Sequence, residues 1–82
     1  MPLSDYQKKI AAQNIVEGIS LQADLTNLSS YINTLFNDAP IEIAETTSKE
    51  ELQSLINSIK QGTANNVKIS KFLELAESLG IS

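Results

Sequence analysis

Cysteine, histidine, arginine and tryptophan are all missing from the 82 residues. Without cysteine or histidine the usual ligands of structural zinc, haem and iron–sulfur clusters are absent, and no disulfide can form. Lacking histidine, the chain has no side chain whose unperturbed pKa lies near neutrality, so Ser-His-Asp and Cys-His catalysis are both excluded. Acid–base work would fall to carboxylates or lysine. The three glycines, Gly18, Gly62 and Gly80, all read as helix punctuation, and none sits in a phosphate-cradling loop. No apolar run approaches the roughly 20 residues that span a bilayer, and the MPLSDYQKKI start lacks the apolar core of a signal peptide. A cytoplasmic location, or one within a larger assembly, is the expectation, with no membrane partner.

Ten isoleucines and ten leucines supply most of the apolar bulk, and 41% of the residues are hydrophobic. That is a globular composition. A chain of this length buries only about two-thirds of its unfolded surface, enough for one small domain over residues 1–82 and not for two cores. Six lysines against ten carboxylates give a net charge of −4. With no arginine to read phosphate or guanine, direct nucleic-acid binding is not expected. No cofactor is implied.

Ser4-Asp5-Tyr6-Gln7 is a capping box, in which serine hydroxyl and glutamine amide satisfy orphan backbone donors, so a first helix is expected from there. Ala12, Ile15, Val16 and Ile19 form its apolar stripe, with a break expected near Gly18. A second stripe, Leu21, Leu25, Leu28, Ile32 and Leu35, runs at spacings of four, three, four and three, the period of a coiled-coil seam. It is out of phase with the first, which calls for two helices or one sharp kink. Tyr31 and Phe36 widen the second stripe. Asn37-Asp38-Ala39-Pro40 ends it, because the residue before proline is pushed out of the α region.

Thr47-Ser48-Lys49-Glu50-Glu51 contains two overlapping capping boxes, Thr47 with Glu50 and Ser48 with Glu51. A helix carrying Leu52, Leu55, Ile56 and Ile59 should follow and stop at Gly62 in the left-handed position. Ser70 is a candidate N-cap for a last helix that buries Phe72, Leu73, Leu75, Ala76 and Leu79, closed by Gly80 and Ile81. Ile41-Glu42-Ile43 and Val67-Lys68-Ile69 alternate alike and allow a minor two-stranded sheet (residues 41–43 and 67–69) with a Glu42–Lys68 pair across it. The expected class is mainly α, a small bundle of three to four helices.

Phe72 to Ser82, ending LAESLGIS, resembles the first helix and turn of a helix-turn-helix. The recognition helix of that motif would follow Ser82, so the resemblance adds no major-groove reader to this sequence. Glu42, Glu45, Glu50 and Glu51 cluster around Pro40, and Glu74 and Glu77 share a helix face, patterns that ordinarily mark solvated surface.

Two functions from different classes are compatible with these residues. The first is a non-enzymatic structural or adaptor protein that binds a protein partner, or itself, through Leu21, Leu25, Leu28, Tyr31, Ile32, Leu35 and Phe36. A subunit of a larger assembly such as a virus particle is one form of it. Burying the five aliphatic side chains would contribute on the order of 10 kcal/mol before entropic costs. The second is an acidic regulator or inhibitor that occupies a basic groove of a nucleic-acid-processing enzyme.

Overall fold

The computed structural model describes residues 3–22 and 27–81. Five helices account for 81% of those residues, and no strand occurs among them. They are α1 (Asp5–Gln22), α2 (Leu28–Asn37), α3 (Ile41–Thr46), α4 (Lys49–Gln61) and α5 (Asn66–Leu79). The Cα radius of gyration, 12.0 Å, equals that of a close-packed chain of this length, about 12 Å.

The start of α1 follows the capping box in full. The Ser4 amide donates to Gln7 Oε1 at 3.0 Å, and the Gln7 amide donates to Ser4 Oγ at 3.2 Å. Gly18 does not break the helix, which continues to Gln22. A helical glycine costs only about 0.5–1 kcal/mol relative to alanine. Burial of Val16 and Ile19 on either side outweighs that cost. The chain thus forms two helices here, α1 and α2, and the second stripe is shared between them, Leu21 on α1 and Leu28, Ile32 and Leu35 on α2.

Of the two boxes ahead of α4, the chain uses Ser48, whose hydroxyl accepts from the Glu51 amide at 3.0 Å. Thr47 instead ends α3, its amide donating to the Ile43 carbonyl at 2.9 Å, and is itself buried. At the other end Gly62 adopts φ 77°, and the Thr63 amide donates to the Ser58 carbonyl at 2.9 Å. This is a Schellman closure. The same device closes α5, where Gly80 has φ 74° and the Ile81 amide reaches the Ala76 carbonyl at 2.8 Å.

Three expectations are corrected. The described residues form five helices, because the Ile41–Ile43 segment is itself part of a short helix. The sheet does not form: residues 41–43 lie in α3 and 67–69 in α5. Three alternating residues fit either period, and a lone two-stranded ribbon is marginal in water. The helical alternative satisfies backbone donors at both places: the Ile43 and Ala44 amides donate to the Pro40 carbonyl at 3.0 and 3.1 Å, and Asn65 caps α5 by accepting from the Lys68 amide at 2.9 Å. Asn65 therefore replaces Ser70 as the N-cap, five residues earlier. With the sheet gone, Glu42 and Lys68 lose their cross-strand relation. Among the described residues an ion pair joins Lys71 of α5 to Glu51 of α4. Both groups are over a third exposed, so the pair contributes at most a fraction of a kcal/mol.

The core is built where α1 packs on α4 and α5, α2 on α4, and α4 on α5. Ala12, Val16 and Ile19 enter it from α1, Leu28 and Ile32 from α2, Leu52, Leu55, Ile56 and Ile59 from α4, and Ile69, Phe72, Leu75 and Ala76 from α5. Phe72 is wholly enclosed. α4 touches every other long helix, which makes its apolar face the centre of the bundle.

Candidate interaction surface

The seven side chains expected to form one docking face are divided by the fold. Leu28 and Ile32 point into the chain's own core, Leu28 with only 4% of its surface exposed. Tyr31, Leu35 and Phe36 are half-buried and pack on the edge of that core. Leu21, by contrast, ends α1 with 90% of its surface in solvent. Leu25 lies outside the described residues. The regular spacing from Leu21 to Leu35 thus runs across a helix boundary, and its central pair has no surface left for a partner. Desolvation of the half-buried phenol raises the Tyr31 pKa above its ordinary 10.0.

A different apolar surface remains open. Among the described residues the exposed large hydrophobic side chains are Leu3, Tyr6, Ile10, Leu21, Ile41 and Val67. The first four all belong to α1 or its lead-in. Ala12, Val16 and Ile19 fix the inward meridian of α1. At about 100° per residue, Ile10 and Leu21 fall on the opposite meridian, and Tyr6 one turn before Ile10 lies beside it. Tyr6 is 72% exposed. The sequence did hold a signal for this face: Ile10 is out of step with the stripe that follows it, and Leu3, Tyr6 and Ile10 keep helical spacing at the opposite side.

The clefts offer little reactive chemistry. One of about 460 Å³ opens between α1 and the C-terminal turn of α4, lined by Gln13, Asn14, Val16, Glu17, Ser20, Ile59 and Lys60. It brings a single carboxylate and a single ammonium to one opening, with amides and a hydroxyl around them. A second, of about 260 Å³, lies between the end of α3 and α5, where Thr46, Thr47, Lys71, Glu74 and Ser78 meet Ile43 and Leu75. Among the described residues no three acidic groups converge as metal ligands would, and no helix is long and apolar enough to cross a membrane. Glu42, Glu45 and Glu50 stand exposed on α3 and the first turn of α4. The LAESLGI stretch forms the last turns of α5 and its glycine cap.

Comparison with protein families, curated proteins and solved structures yields no significant match.

Proposed function

We propose that the chain is a non-enzymatic structural or adaptor protein that works through helix-mediated protein contacts, as a subunit of a larger assembly. The observation that carries this reading is the segregation of exposed apolar side chains. Three of the six, Tyr6, Ile10 and Leu21, lie on α1 away from its buried stripe, and a fourth, Leu3, immediately precedes the helix. Isolated exposed leucines are ordinary, whereas apolar side chains gathered on one helix face mark a contact surface. The docking residues are therefore Leu3, Tyr6, Ile10 and Leu21, with Tyr31, Leu35 and Phe36 contributing only their open edges. Leu28 and Ile32 support the surface from within.

The test is affinity capture from the producing cells with the immobilised chain, washed at low and at high salt. At roughly 1 M salt exposed charges are screened within about 3 Å, while apolar contacts persist. A partner that survives the salt wash and is lost with Tyr6→Lys plus Leu21→Lys supports the reading. A second reading, an acidic regulator of a basic groove, is favoured by the exposure of Glu42, Glu45 and Glu50 on neighbouring elements. Its partner would elute with salt, ignore the α1 substitutions and be lost with Glu42→Gln, Glu45→Gln and Glu50→Gln. That pattern would overturn the first reading.

A further inference from the structure

We propose that the cleft between the end of α3 and the second half of α5 binds a small aliphatic primary ammonium ion, its charge held by Glu74 and the hydroxyls of Thr47 and Ser78, its alkyl body lying between Ile43 and Leu75. The site is separate from the α1 surface and does not depend on the docking reading.

The decisive group is Thr47. It keeps only 5% of its surface exposed and lines this cleft. Its amide is spent on the Ile43 carbonyl at 2.9 Å, but its hydroxyl has no hydrogen-bond partner among the described residues. Thr46 beside it differs, turning its own hydroxyl back onto the Glu42 carbonyl at 2.6 Å. A hydroxyl taken out of water without a partner costs free energy. No fully enclosed side-chain nitrogen or oxygen among the described residues lacks a partner, so the sliver of Thr47 left open includes its hydroxyl, and the residue opens onto the cleft.

The charge presented there is negative. Lys71 is also on the lining, yet its ammonium is already paired with Glu51 of α4. Glu74, three residues further along α5, forms no ion pair among the described residues and leaves its carboxylate uncompensated. Ser78 follows four residues later on the same face of the helix, and its hydroxyl bonds no other described residue. α3 and α5 both end at this side, and neither has a basic residue in its last turn, so the carbonyl ends of the two helices add to the negative potential. A cation is therefore preferred to an anion.

The lining also selects the kind of cation. A metal ion would need several converging carboxylates, and among the described residues no three acidic groups converge. A primary ammonium carries three N–H donors, which match the three acceptors at Glu74, Thr47 and Ser78. Ile43 and Leu75 give apolar walls that a bare ion would not use. At about 260 Å³ the cleft is smaller than the roughly 300–1,000 Å³ of sites for drug-sized ligands, so the alkyl chain is short.

The probe is n-butylammonium chloride, titrated into the full chain at neutral pH and constant ionic strength while amide shifts are followed by NMR. The amides of Thr46, Thr47, Glu74 and Ser78 should move together and saturate, with a dissociation constant of roughly 1–10 mM for so small a ligand. Butyrate, the same chain with the opposite charge, should leave them in place. Glu74→Gln, at an exposed residue, should weaken binding about tenfold, whereas Glu77→Gln, the same change of charge on α5 but off the lining, should not alter it. Thr47→Val keeps the buried shape and removes the hydroxyl. It should weaken binding roughly three- to tenfold and leave the melting temperature of the free chain unchanged or higher, because no internal hydrogen bond is lost.

Shifts that stay linear to roughly 100 mM, far above the expected constant, overturn the proposal. So does a response of the same amides to butyrate. Equal weakening by Glu74→Gln and Glu77→Gln would mark diffuse attraction of a cation to an acidic chain and overturn it too. A Thr47→Val variant that melts lower would show the hydroxyl already satisfied within the fold, which removes the site.

Discussion

Leu21 and Leu28 belong to one regular stripe in the sequence, yet the fold gives them opposite fates, and truncating each to alanine tests that division. Leu28 is enclosed by α2 and α4. Removing its side chain leaves a cavity in a packed interior, which costs about 2–5 kcal/mol. Leu21 loses almost no contact, so its truncation should change stability by no more than about 0.5 kcal/mol. A domain of 82 residues has roughly 4–12 kcal/mol of stability in all. Leu28→Ala should therefore remove a large share of the total. With an m-value of about 1 kcal/mol per molar urea for so small a chain, the midpoint should drop by roughly 2 M or more, to the point of unfolding in buffer. Leu21→Ala should melt with the parent. The assay is urea unfolding followed by circular dichroism. Equal losses in the two variants, or a greater loss for Leu21→Ala, would refute the division of the stripe.

Other outcomes follow from the caps and from Tyr31. Asn65→Ala removes the acceptor for the Lys68 amide and should cost about 0.5–2 kcal/mol, while Ser70→Ala, inside α5, should cost far less; thermal melts of the two variants rank them. At Gly62 an added Cβ meets no atom within 4 Å, so Gly62→Ala suffers only from its φ of 77° and should lose about 1 kcal/mol, or roughly 4–8 °C in Tm. Folding raises the Tyr31 pKa above 10.0, which means that the folded chain holds the phenolic proton more tightly than the unfolded one. This contribution is fully present below pH 10.0 and is lost as pH rises from there through the folded-state value. In a Tyr6→Phe background, phenolate absorbance should report Tyr31 ionising above its ordinary value, and Tyr31→Phe should lessen the alkaline loss of stability.

Much of the helical class could be read directly because local and tertiary preferences agree. Ser4–Gln7, Ser48–Glu51, Gly62 and Gly80–Ile81 are all used as their side chains suggest. Errors arose where a short signal competed with a distant one. The three-residue alternations at Ile41 and Val67 fit a strand as well as a helix, and the choice was made by Pro40 and Asn65 upstream. Gly18 looked like a break because its intrinsic cost is visible in sequence, whereas the burial of Val16 and Ile19 is not. The docking face failed for a related reason. Spacing alone cannot reveal that a helix ends between Leu21 and Leu28, nor that α4 will occupy the face presented by Leu28 and Ile32. Once α1 is phased by its buried residues, its exposed apolar positions, Tyr6, Ile10 and Leu21, identify themselves by exclusion.

The most direct measurement is residue-resolved NMR of the intact chain, alone and with the salt-resistant partner. If α1 is the contact surface, amide shifts on binding should gather at Tyr6, Ile10 and Leu21, while Leu28 and Ile32 stay fixed. Movement centred instead on α2, or on the carboxylates of α3 and α4, with α1 silent, would contradict the account.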